Sequence, residues 1–214
     1  TYTLCIEKNK LESIEIEEQA MQQYLLNLKY QIDTTEDAIA RESLINQYDE
    51  FSKVLADLPQ MKIVLPSVLF EEKLIIEGSN RKVELHCLGG GHTPCDAFMY
   101  VPSERIAFMG DLVTEKLHVP IYNPSEFIAI LKTVKKMNIN TVVPGHGDVS
   151  DIALIQSVID YLTVLTRKSK EAHQRGLSLQ DFITGFETPS EYRDWKGING
   201  IKSNLTNLYN FYSN

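Results

Sequence analysis

The fold prediction starts from one stretch, Gly89–Asp96, which reads Gly-Gly-Gly-His-Thr-Pro-Cys-Asp. Just before it, residues 82–87 alternate between polar and apolar side chains with the period of a β-strand, which predicts a half-buried strand with His86 on its solvent face. The three glycines let the backbone bend sharply after this strand and leave the imidazole of His92 uncrowded. Because a ligand-binding side chain needs such access, His92 is a candidate functional residue.

Two more stretches repeat the arrangement of a strand that ends in a residue able to bind a metal. Met109–Leu112 puts the carboxylate of Asp111 just past an apolar strand, where burial is costly unless a cation compensates. Val142–Gly147 ends a buried strand in a histidine between two glycines, His146. Each such residue alone is more often an ordinary turn residue. Together, two imidazoles and a carboxylate at the ends of successive strands favour a metal site, with Zn²⁺ as the default ion.

The first third of the chain predicts two amphipathic helices. Apolar side chains recur at helical spacing from Met21 to Leu28 and from Leu44 to Leu58. Between them, Thr34 followed three residues later by Asp37 resembles a capping box, so we predict an antiparallel helical hairpin over residues 14–58.

From residue 61 onward the sequence consists of short runs rich in β-branched residues, which is typical of β-strands. Two strand hairpins over residues 73–87 and 97–109 precede a helix that begins at Asn123 and Pro124, and a short strand covers residues 141–143. Ser150 is the expected start of a long helix, and shorter helices are expected over residues 175–214. The sequence therefore predicts a single α+β domain over residues 1–214, with residues 61–165 as the core that carries the metal ligands.

The order of these motifs resembles the metallo-β-lactamase superfamily over residues 61–165. The motifs are Gly-Gly-His92-Thr-Pro, a hairpin interrupted by Pro-Ser-Glu, Gly-Asp111, a helix, and Val-Val-Pro-Gly-His146-Gly. The resemblance implies an αββα sandwich with a dinuclear metal site at one edge, between two sheets. It also implies that His92 binds the first metal, that Asp111 bridges both metals, and that His146 helps to hold the second.

One motif of that superfamily, HxHxDH, is absent. The five histidines of the chain, His86, His92, His118, His146 and His173, include no pair two residues apart. In the family the motif lies upstream, and too few strands remain here for two sheets. We therefore expect an αββα sandwich that is incomplete at its N-terminus, carries the helical hairpin as an insertion, and is inactive as this fragment alone.

The resemblance implies a hydrolase that attacks a small ester, thioester, lactone or β-lactam with a metal-bound hydroxide. The expected cofactor is two zinc ions, with iron or manganese as alternatives, and Asp111 is the expected catalytic residue. His118, seven residues after Asp111, is a candidate for the mouth of the substrate site. Two other functions stay open: a di-iron oxidoreductase of the same fold, and a non-catalytic member that has lost part of its metal site.

Composition restricts the partners. A net charge of −8 and a pI near 5.2 argue against nucleic acid and against an anionic membrane. No apolar run approaches the roughly 20 residues of a membrane span. Three scattered cysteines argue against a disulfide framework and favour a reducing compartment. We expect a bacterial, cytoplasmic protein with a small-molecule substrate, and leave open both a homodimer and a signal peptide upstream.

Overall fold

The computed structural model describes residues 14–60, 66–197 and 200–213. Predictions that concern what precedes residue 14, or residues 61–65, lie outside these ranges. The chain divides into two compact units, of which one ends at Leu69 and the other begins at Phe70. The expectation that they act as a single domain stays a prediction.

The first unit contains the predicted helical hairpin. Its helices are α1, Ile14–Thr34, and α2, Ala38–Asp57, followed by a single 3₁₀ turn, Leu58–Gln60. Tyr24 of α1 and Phe51 of α2 meet edge to face, with ring centroids 5.1 Å apart. The capping box is wrong in detail: the side chain of Asp37 caps α2 by accepting from the Ala40 N–H. Thr34 is the last residue of α1, and its hydroxyl donates to a carbonyl of its own helix.

The second unit is built on one five-stranded sheet with the strands in sequence order. The strands are β1 Lys73–Glu77, β2 Lys82–Cys87, β3 Ala97–Val101, β4 Ile106–Phe108 and β5 Thr141–Val143. The first three pairings are antiparallel, and β4 pairs with β5 in parallel. The helices are α3 Pro124–Val134, α4 Ile152–Gln174, α5 Leu179–Thr184 and α6 Ile201–Phe211.

The helix starts follow capping chemistry. At the start of α3 the side chain of Asn123 accepts from two backbone N–H groups, and Pro124 fills the first helical position, as predicted. For α4 the capping residue is Asp151, one position later than the expected Ser150. The long helix and the C-terminal helices are confirmed.

One face of the sheet forms the core. Phe98, Tyr100, Ala107 and Val142 point to this face and are buried in one cluster with the apolar faces of α3 and α4. The opposite face also carries apolar side chains. A sheet covered by helices on one face is an α+β arrangement and corresponds to one α–β half of the predicted sandwich, while residues 66–197 and 200–213 contain no second sheet. Among the helices in the described ranges, none is both long and apolar enough to cross a membrane.

Candidate metal centre

The topology of the sheet explains why three distant residues meet. Two antiparallel pairings in succession make β2 and β4 run in the same direction, and β5 is parallel to β4. The carboxyl ends of β2, β4 and β5 therefore lie at one edge of the sheet. His92 follows β2, Asp111 follows β4 and His146 follows β5, so all three predicted ligands lie at this edge.

The imidazole of His92 is held in one orientation. Its Nδ1 atom lies 2.9 Å from the carbonyl oxygen of Pro120. A carbonyl oxygen only accepts, so Nδ1 carries the proton in the neutral ring and Nε2 keeps its lone pair. Nε2 lies 3.6 Å from Oδ2 of Asp111. A histidine that donates one ring N–H to a carbonyl and offers the other nitrogen has the usual arrangement of a metal ligand.

The imidazole of His146 approaches the same carboxylate from the other side. Its Nε2 atom lies 3.5 Å from Oδ1 of Asp111, and its side chain is 60% exposed. The backbone of its loop is tied to the segment after Asp111, because the His146 carbonyl accepts from the Glu115 N–H at 2.8 Å. The carboxylate of Glu115 in turn accepts from the Asp148 N–H at 3.0 Å.

Asp111 lies between the two imidazoles in a short 3₁₀ turn, Gly110–Leu112. Each of its carboxylate oxygens faces a different histidine. The loop of His146 fits against it only because residue 145 is glycine, since a Cβ on Gly145 would lie 2.2 Å from Oδ1 of Asp111 and 2.6 Å from the Gly110 carbonyl carbon.

The three side chains form two pairs that share one carboxylate. In the described part of the chain no three His, Cys, Asp or Glu side chains are arranged to hold one ion. Two ligands of one tetrahedral zinc ion, with bonds near 2.0–2.1 Å, lie roughly 3.3 Å apart. The nitrogen–oxygen distances of 3.5 and 3.6 Å are close to that value. Each pair therefore fits one edge of a metal coordination sphere, and the remaining ligands of such a sphere would have to come from other groups.

Asp96 is a residue that the sequence analysis missed. This buried carboxylate accepts from the backbone N–H of Gly91 at 2.7 Å, of His92 at 2.8 Å and of Thr93 at 3.0 Å, and from the Thr93 hydroxyl at 2.6 Å. It thereby fixes the loop on which His92 stands. A glycine-rich turn leaves several backbone N–H groups in need of an acceptor, and Asp96 is the nearest carboxylate along the sequence.

His118, which was predicted at the mouth of the substrate site, is instead buried in the interior, with 4% of its surface exposed. Its Nε2 atom is 3.2 Å from the Tyr192 carbonyl, and its Nδ1 atom is 2.8 Å from the Tyr161 hydroxyl. Both ring nitrogens are thus used, and Trp195 packs beside the ring. Burial lowers the pKa of His118, so the core holds it in its neutral form.

His86, predicted on the solvent face of β2, instead shares the face of its cross-strand neighbour Phe98. It stacks on Phe98 of the neighbouring strand, with centroids 5.1 Å apart, and its Nε2 atom lies 3.0 Å from the carboxylate of Glu84. The Lys73 ammonium, 2.7 Å from Glu84, lowers the pKa of that carboxyl to about 2, with help from Lys82 and against the effect of burial. These residues form an ion-pair cluster on the sheet.

Comparison with known proteins gives partial matches. No protein-family model matches the chain. The metallo-beta-lactamase type 2 of Bacteroides fragilis is 28% identical over 113 residues, which are 49% of this chain and 45% of that enzyme. The metallo-beta-lactamase type 2 of Bacillus cereus is 34% identical over 90 residues, which are 39% of this chain and 35% of that enzyme. The chain thus spans less than half the length of these curated relatives.

Among solved structures, the stereoselective inverting sec-alkylsulfatase Pisa1 from Pseudomonas sp. superposes with a TM-score of 0.56. The match covers 70% of this chain and 27% of that one at 16% identity, which shows a common fold. The sequence matches agree with the resemblance that the three motifs carry. Over the matched residues, the chain is therefore similar in sequence to enzymes of the metallo-β-lactamase superfamily.

Proposed function

We propose that the chain contributes to a metal-dependent hydrolase in which His92, Asp111 and His146 help to bind two zinc ions. The observation that carries this proposal is the position of the Asp111 carboxylate, which turns one oxygen toward each imidazole. The proposed substrate is a small ester, thioester, lactone or β-lactam. Its support is the sequence similarity to two enzymes named metallo-beta-lactamase.

The chain's own residues have separate tasks in this proposal. A bound divalent cation lowers the pKa of coordinated water toward neutrality and polarises a carbonyl group. Asp111 would supply negative charge and a carboxylate oxygen on the side of each imidazole. His92 offers Nε2 because its Nδ1–H is bound to the Pro120 carbonyl. His146, more than half exposed, holds the side of the site that is open to solvent.

The test uses protein expressed from its complete open reading frame and loaded with zinc. Hydrolysis is measured on a panel of an ester, a thioester, a lactone and a β-lactam, with and without a chelator. We expect chelator-sensitive turnover of at least one substrate. His92→Ala and Asp111→Asn should each lower kcat/KM more than about 100-fold, since loss even of a group that only orients a ligand costs 10–100-fold. His173→Ala is the matched control, because His173 is an exposed histidine on α4.

Three results would contradict the proposal. Unchanged rates in both site variants would show that the three residues do not take part. No turnover of any panel member, together with no zinc binding, would favour the non-catalytic alternative. Iron at near one-to-one stoichiometry in the purified protein, with oxygen consumption in place of hydrolysis, would favour the di-iron oxidoreductase.

A further inference from the structure

Asn204 on α6 is a buried amide that has no role in the proposed function as stated above. Only 2% of its surface is exposed. Its Oδ1 atom accepts from the Ile121 N–H at 3.1 Å, and its Nδ2 atom donates to the Val119 carbonyl at 2.8 Å. The amide therefore holds the backbone on both sides of Pro120.

Pro120 is the residue whose carbonyl receives the His92 Nδ1–H, at 2.9 Å. Its ring fixes φ, which removes one source of backbone freedom at this position. With the flanking Val119 carbonyl and Ile121 N–H both bound to one rigid amide, little freedom is left for the direction of the Pro120 carbonyl. That direction decides which nitrogen of His92 is protonated and where Nε2 points.

The same backbone segment also supports the His92 loop. The N–H groups of Tyr122 and Asn123 both donate to the Gly91 carbonyl, at 2.9 and 3.1 Å. Residues 119–123 thus form a platform that touches the loop before His92 and the ring of His92 itself. Asn204 holds this platform from a position more than 80 residues further along the chain.

We propose that Asn204 is a positioning residue for His92, acting through the Pro120 carbonyl to fix the tautomer that presents Nε2 to Asp111. This role rests on the proposed function, because the orientation of the imidazole matters for catalysis only if His92 binds a metal. It does not depend on turnover, because the tautomer is a property of the protein without metal.

The test measures the tautomer directly, from the imidazole nitrogen chemical shifts of His92 in metal-free protein at mildly alkaline pH. We expect the Nδ1–H form in the wild type and a shift toward a tautomer mixture in Asn204→Leu. Zinc affinity, measured by calorimetry, should fall about 10-fold, the lower end of the usual cost of removing an orienting partner. Asn207→Leu is the matched control, because Asn207 is an exposed asparagine on the same helix.

A second control separates positioning from stability. Leu208→Ala removes a buried side chain from α6 that is not the amide and should lower stability while leaving the His92 tautomer unchanged. If Asn204→Leu does not fold, Asn204→Asp decides, since it keeps the acceptor for Ile121 and loses the donor to Val119. A wild-type tautomer in the folded Asn204 variant would overturn the inference. A shifted tautomer in a protein that binds no zinc would leave it standing and reject the proposed function instead.

Discussion

Replacing Asp96 with alanine tests whether one buried carboxylate holds the loop of His92. The change removes the acceptor of three backbone N–H groups and one hydroxyl. The bond to the Gly91 N–H is buried, whereas the bonds of His92 and Thr93 are partly exposed. Water can therefore replace the carboxylate at His92 and Thr93 but not at Gly91.

The expected cost follows from this difference. A buried donor left without a partner costs about 1–3 kcal/mol, and bonds to a charged acceptor are stronger than neutral ones. The two partly exposed donors add less, and removal of a buried charge returns part of its desolvation cost. We expect Asp96→Ala to lower the free energy of unfolding by about 2–3 kcal/mol, and Asp96→Asn, which keeps one acceptor oxygen, by about half of that.

The assay is urea unfolding followed by tryptophan fluorescence. Trp195 is the single tryptophan of the chain and is buried in the second unit, so its emission reports the unfolding of the unit that contains Asp96. Asp160→Ala is the control, because Asp160 is exposed on α4 and its loss should change stability by less than about 0.5 kcal/mol. An Asp96→Ala variant as stable as this control would refute the argument.

Three further predictions concern other parts of the second unit. The pKa of Glu84 is lowered to about 2, mainly by Lys73, so their ion pair adds stability that is fully present above pH 4.5 and is lost as the pH falls toward 2. In urea titrations above pH 4.5, Glu84→Gln should therefore be less stable than the wild type by about 1 kcal/mol after screening by solvent. This difference should close as the pH falls toward 2. His118 is held neutral with a lowered pKa, so the melting temperature should fall as the pH drops below 6.5, and fall less in His118→Asn. Gly145→Ala should displace the Asp111 carboxylate and weaken zinc binding by more than about 10-fold, as measured by calorimetry. Gly78→Ala is the control and should leave zinc binding unchanged, because a Cβ at that position meets only an ordinary contact at 3.4 Å.

The three ligand-type residues were predictable because their signals are local. A strand that ends in glycine and a histidine or aspartate is visible within a few residues, as at His92, Asp111 and His146. The edge that they share was also accessible, since strands that run in the same direction have their carboxyl ends on the same side. The helical hairpin was predictable for the same reason, because its apolar stripes lie within each helix.

The burial of His118 and the contacts of Asn204 could not be predicted from local sequence patterns. The burial of His118 is created by Tyr161 of α4 and by Tyr192, which follow it by 43 and 74 residues. Asn204 contacts its partners across more than 80 residues. No periodicity in the sequence reports contacts over such distances. The pairing of His86 with Phe98 depends likewise on the register between β2 and β3, which the alternation within one strand does not fix.

The proposed function requires that His92, Asp111 and His146 bind metal together. The most direct measurement is anomalous diffraction at the zinc absorption edge, from crystals of the protein grown with zinc. We expect an anomalous peak within bonding distance of a carboxylate oxygen of Asp111 and of Nε2 of His92 or His146. Zinc bound only elsewhere on the protein, for example at the exposed His173, with these three side chains free of metal, would contradict it.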